Sequence, residues 1–142
     1  MNEKTKALMT IGILAALLLI PSIPAQQTDS TSLEITDMKG GFGGIIVSVE
    51  NTGEVTANDV WVITTITGGF LGNIDILHEC TGCSACGTTL EPGAIKSENS
   101  LEAAFLIGFG PIEIITSAGA TNANEISTEK TGFAFGPLVI IN

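Results

Sequence analysis

The sequence predicts an all-β fold, an antiparallel β-sandwich of about 7–8 strands, preceded by an N-terminal signal helix. Three observations carry this expectation. Short runs of β-branched residues alternate with polar ones at a period of two, which suits a pleated sheet and crowds a helix. The chain has 17 glycines and 5 prolines, most of them between those runs, where turns need them. Beyond residue 25, no stretch combines a helix start, an apolar stripe and a stop.

Residues 1–25 read as a targeting segment. Lys4 and Lys6 supply a basic start, Ala7 to Ile20 is an apolar run of 14 residues, Pro21 and Pro24 end it, and Ala25 offers a small residue for cleavage. A membrane-spanning helix needs about 20 apolar residues, so the run is short for a span. Cleavage would place the mature N-terminus at or near Gln26, giving a secreted or cell-surface protein. Left uncleaved, the same segment would be a membrane anchor, and it is the one membrane contact the sequence suggests. Residues 26–32 form a polar linker, and 33–142 form the sandwich domain.

Within that domain, Leu33 and Ile35 alternate with Glu34 and Thr36. Ile45, Val47 and Val49 share one face, with Ser48 and Glu50 on the other. From Val60 to Thr67 both faces are fairly apolar, which predicts a central strand. Ile112, Ile114 and Thr116 alternate with Glu113, Ile115 and Ser117. Asn51-Thr52-Gly53, Pro92-Gly93 and Gly110-Pro111 read as turns. Leu101–Gly108 has some helical propensity, but glycines and a proline close in on it, and a strand is expected. The pieces GGFGG, GGFLG, GFG and GFAFG recur at irregular spacing. They suggest no solenoid. Small residues at strand ends would let each phenylalanine cap the core. The C-terminal run Leu138 to Ile141 must be buried, with its own domain's last strand the expected place and a neighbouring subunit's sheet the alternative.

The chain carries a formal net charge of −10, and −11 once Lys4, Lys6 and Glu3 leave with residues 1–25. It has no arginine. Nucleic-acid binding is therefore not expected, since it needs a basic footprint. The acidity fits a soluble, surface-displayed protein.

At VENTGEVTANDVWV and LEPGAIKSENS the chain resembles the CARDB-like, immunoglobulin-like modules of bacterial and archaeal exported surface proteins. The matching residues are Val49, Asn51, Thr52, Gly53, Val60, Val62, Leu90, Pro92 and Gly93. The resemblance covers roughly residues 33–118 and rests on turn chemistry. It implies an immunoglobulin-like sandwich for display, adhesion or spacing, and it supplies no catalytic residues. The apolar ending GFAFGPLVIIN and the cysteine loop depart from the pattern.

That loop, HECTGCSAC, places His78 two residues ahead of Cys80, with Cys83 and Cys86 following at equal spacing. In an oxidising compartment a disulfide is the plain reading, and Cys80–Cys86 closes the largest ring. Thiolates and an imidazole also suit zinc, which makes His78, Cys80, Cys83 and Cys86 a candidate metal set, although four ligands within nine residues is tight. An iron–sulfur run would need a fourth cysteine where Leu90 stands. A thiol–disulfide enzyme would need a helix after a CxxC pair, and the sequence offers none. His78 itself is expected at the edge of a loop. No catalytic residues are nominated and no cofactor is expected, zinc aside. The sequence thus favours a non-enzymatic surface module of structural or adhesive kind. A metal-binding or thiol-redox module and a subunit of an extracellular filament or surface layer are the alternatives. The partner would be another copy or another surface protein.

Overall fold

A computed structural model describes residues 31–80 and 88–142. The signal helix, its cleavage site, most of the linker, and Cys83 and Cys86 lie outside the described residues. Eight strands within them form two antiparallel sheets. The smaller sheet orders β1 (Leu33–Gly40), β2 (Ile45–Asn51) and β5 (Ile95–Asn99) as β1-β2-β5. The larger contains β3 (Trp61–Gly68), β4 (Ile74–Cys80), β6 (Gly108–Ala120), β7 (Ala123–Gly136) and β8 (Leu138–Ile141), ordered β4-β3-β6-β7-β8.

The alternation read from the sequence sets the core. Leu33, Ile45, Val47 and Val49 of the smaller sheet meet Val62, Ile66, Ile112, Ile114, Ala118, Ala134 and Val139 of the larger, all buried in one cluster. Each fully buried valine or isoleucine contributes roughly 1.5–3 kcal/mol. β3 lies between β4 and β6, the central position its two apolar faces predict. A bulge between Ile35 and Asp37 shifts the register of β1, so Met38 packs against the core in place of Asp37.

Two turns hold as read. Asn51 is fully buried, and its amide donates to the carbonyls of Val55 and Leu90, both at 2.8 Å, while its side-chain oxygen accepts from Gly53 N at 3.0 Å. Pro92-Gly93 turns the chain into β5, with Gly93 N donating to Asn51 O at 2.8 Å. At the opposite end Asn122 sits in the β6–β7 turn. It accepts from Asn58 N at 2.8 Å and donates to Thr56 O at 2.9 Å.

The β1–β2 connection covers the edge of β8, a place where unpaired backbone invites aggregation. Val139 N donates to Gly41 O at 2.9 Å, Gly43 N donates to Pro137 O at 2.6 Å, and Phe42 bridges Leu138. The approach at Gly40 is so close that a Cβ there would collide with the Val139 carbonyl. The glycines of GGFGG thus join the two sheets at one corner.

Four expectations are corrected. Leu101–Gly108 is not a strand. Ser100–Glu102 forms a 3-10 turn, with the Asn99 side chain accepting from Leu101 N at 3.0 Å, and strand structure resumes only at Gly108. This segment crosses from one sheet to the other, so neither sheet can pair it. Buried Leu106 pins it, with its N donating to Gly43 O at 2.8 Å. Gly110-Pro111 is not a turn but part of β6, where Gly110 takes φ 126 and Pro111 O accepts from Gly69 N at 2.8 Å. None of the chain's 6 phenylalanines caps the core; all are exposed. In β6 and β7 they sit at the outward positions, because Ile112, Ile114 and Ala134 take the inward ones. The C-terminal run does pair within its own domain, as β8 against β7, but only Val139 of Leu138–Ile140 faces in, while Leu138 and Ile140 are exposed.

Candidate functional site

Two regions stand out: an internal polar cluster where β4 faces β5, and the outer face of the larger sheet. In β4, Ile74, His78 and Cys80 are buried, and Asp75, Leu77 and Glu79 point outward. His78 therefore lies within a strand and is 6% exposed, not at the edge of a loop. Its neighbour across β3 is Thr64, and the next across β6 is Thr116. Both threonines are buried, with their hydroxyls 3.2 Å apart and bonded to each other. A polar row of His78, Thr64 and Thr116 thus runs across the interior of an otherwise aliphatic sheet.

Cys80 shares the inward face with His78 and is buried. It is not a free thiol. The proposed Cys80–Cys86 pairing and the convergence of His78, Cys80, Cys83 and Cys86 on a metal involve residues outside those described.

Opposite β4, the inward positions of β5 are polar. Lys96 and Glu98 pair at 3.1 Å with both side chains largely buried. One residue beyond the strand, the 3-10 turn carries Glu102. The ring of His78 and the carboxylates of Glu98 and Glu102 place one potential ligand atom each within 4.8 Å of the others. The His78 ring makes no hydrogen bond or ion pair among the described residues. Every fully buried side-chain nitrogen or oxygen among them does have a hydrogen-bond partner, so the ring nitrogens border accessible space. Sequence reading missed both glutamates. Glu98 could have been found from the two-residue spacing of Lys96 and Glu98 had IKSEN been read as a strand. Glu102 carries no local signal, because the crossover fold alone brings it to β4.

On the outer face of the larger sheet, register aligns two apolar rungs. Phe109 pairs with Phe135 and Phe135 with Leu138; Pro111 pairs with Phe133 and Phe133 with Ile140. Phe109 is 54% exposed and Phe135 62%. The Phe109 ring packs edge-on to Phe133 at 5.3 Å and tilted to Phe135 at 5.6 Å, geometries that aromatic quadrupoles favour. The six rung residues carry no charge in a chain of net charge −10. At the corner beside β8, Phe42 and Phe105 add a second edge-on pair at 5.7 Å.

A third feature is a groove of about 300 Å³ lined by Ile35, Thr36, Asp37, Met38, Thr128 and Lys130. Lys39, hydrogen-bonded to Asp37, holds that carboxyl below its ordinary value. The pair is solvated, and such pairs add little stability.

Two antiparallel sheets packed around one aliphatic cluster define the class of this protein, an all-β sandwich. No family model matches the chain, and no curated protein matches it. No helix among the described residues is long and apolar enough to cross a membrane.

Proposed function

We propose that this chain is a non-enzymatic, exported or cell-surface β-sandwich module that associates with further copies of itself through the outer face of its larger sheet. The observation that supports this most is the six-residue apolar ladder of Phe109, Phe133, Phe135, Pro111, Leu138 and Ile140. Monomeric proteins rarely leave such a contiguous aromatic and aliphatic surface in water. Acidic copies repel one another wherever their carboxylates face, and the ladder lets two surfaces approach without opposing charges. The same face presented by two copies can pair about a two-fold axis.

The strand order supports an immunoglobulin-like identity. In that fold one sheet is built on the first, second and fifth strands, and the third, sixth and seventh lie side by side in the other. Here β1, β2 and β5 face β3, β6 and β7, with β4 on one edge and β8 added on the other. The turn residues shared with CARDB-like modules, Asn51 above all, fit the same reading. The targeting segment at residues 1–25 supports export. A buried Cys80 that is not free supports a Cys80–Cys86 disulfide in an oxidising compartment.

The test is recovery of the protein outside the cell, followed by measurement of its N-terminus and its state of association. The expected result is a chain beginning at or near Gln26 and assembled beyond the monomer. Retention of Met1 in extracellular protein, or a strict monomer at high concentration, would contradict the proposal.

A further inference from the structure

We infer that His78, Glu98 and Glu102 form a binding site for a divalent first-row metal ion of the zinc type, built between the edge strands of the two sheets and sharing only His78 with the cysteine ligand set. Three elements that are distant in sequence each deliver one donor, β4 the imidazole, β5 one carboxylate and the 3-10 turn the other. Their ligand atoms lie within 4.8 Å of one another. Donors around tetrahedral zinc sit roughly 3.4 Å apart, given bond lengths of about 2.1 Å. Closing the site therefore takes side-chain movements of about an ångström, within the reach of χ rotations.

The second observation is the state of His78. It is nine-tenths buried and its ring has no hydrogen-bond partner among the described residues. A ring nitrogen within 4.8 Å of two carboxylate oxygens, on a side chain otherwise so nearly enclosed, is placed to take a ligand in common with them. Glu98 already accepts from Lys96. A carboxylate has two oxygens, so this pair and a metal bond are compatible, and Lys96 then fixes the orientation of a ligand, as outer partners of metal sites commonly do. One imidazole and two carboxylates are borderline-to-hard donors that suit zinc, cobalt or manganese. They leave at least one position for water.

The experiment uses the full chain, stripped of metal with a chelator, and titrates it with Zn²⁺ by calorimetry and with Co²⁺ by absorption spectroscopy. One equivalent of Zn²⁺ is expected. Glu102 is exposed, so Glu102→Gln should fold normally and bind Zn²⁺ roughly tenfold or more weakly. Glu98→Gln should weaken binding similarly. The Co²⁺ complex should show ligand-field bands without thiolate-to-metal charge transfer. Absence of stoichiometric binding, or affinity unchanged by Glu102→Gln in a folded protein, would overturn the assignment. So would a thiolate charge-transfer band, which would transfer the metal to Cys80, Cys83 and Cys86.

Discussion

Asn51→Ala should be among the most damaging polar substitutions in this chain, and its cost can be worked from the structure. The side chain is fully buried and makes three hydrogen bonds, to Val55 O, Leu90 O and Gly53 N. Each contributes about 1 kcal/mol net. The groups left behind are not all orphaned: Leu90 O still accepts from Ala57 N at 2.9 Å, and Gly53 N still donates to Ser32 O at 3.2 Å. Val55 is only partly buried, so water can reach its carbonyl. The expected loss is therefore about 2–3 kcal/mol rather than the larger penalty of several dry, unpaired groups. For a domain of this size it corresponds to a fall of about 10 °C in Tm. Urea unfolding followed by the fluorescence of the single tryptophan, Trp61, measures it directly. Asn51→Asp should be no better, since a carboxylate keeps the bond from Gly53 N but faces two carbonyls to which it cannot donate. A loss below about 0.5 kcal/mol for Asn51→Ala, within the range of ordinary surface changes, would refute the claim that this side chain ties the β2 turn to the Leu90 segment.

Three further outcomes are expected. Thr64→Val and Thr116→Val should each cost about 1–2 kcal/mol, and the double variant less than their sum, because it leaves no hydroxyl without its mate; a double-mutant cycle by urea unfolding checks this. Deleting residues 132–142 removes β8 and the inward-facing Ala134 and Val139, so the monomer should melt at a lower temperature; melting unchanged with loss of oligomers alone would assign the strand to a partner. Intact mass with and without reductant should reveal a difference of two hydrogens, and reduction of a Cys80–Cys86 ring should cost about 2 kcal/mol.

The strands that could be read in advance are those whose inward positions are strictly aliphatic. Ile45, Val47 and Val49 in β2, and Ile112 and Ile114 in β6, point into the core as their period predicts. β5 was illegible because its inward positions are Lys96 and Glu98, residues a core-facing strand seldom carries. β4 was hidden for a similar reason, since His78 takes a buried position and the neighbouring cysteines draw attention to the loop. β7 alternates only weakly until Gly132, with Glu125, Glu129 and Lys130 all in solvent, so it holds its place by pairing along β6 rather than by burial. The phenylalanines misled because hydrophobicity says that a side chain can be buried, while strand parity decides whether it is. The His78–Glu98–Glu102 cluster depends on how the crossover after β5 is placed, and no spacing in the chain encodes that.

Sedimentation velocity of the exported protein beside a Phe109→Ser/Phe135→Ser variant tests the self-association most directly. Both side chains point away from the core, so the variant should keep its fold, with Tm changed by no more than a few degrees. The wild type should sediment as a concentration-dependent assembly and the variant as a monomer. Equal assembly of both proteins, or a wild type that stays monomeric at the highest concentration reached, would contradict the outer face of the larger sheet as the surface through which copies meet.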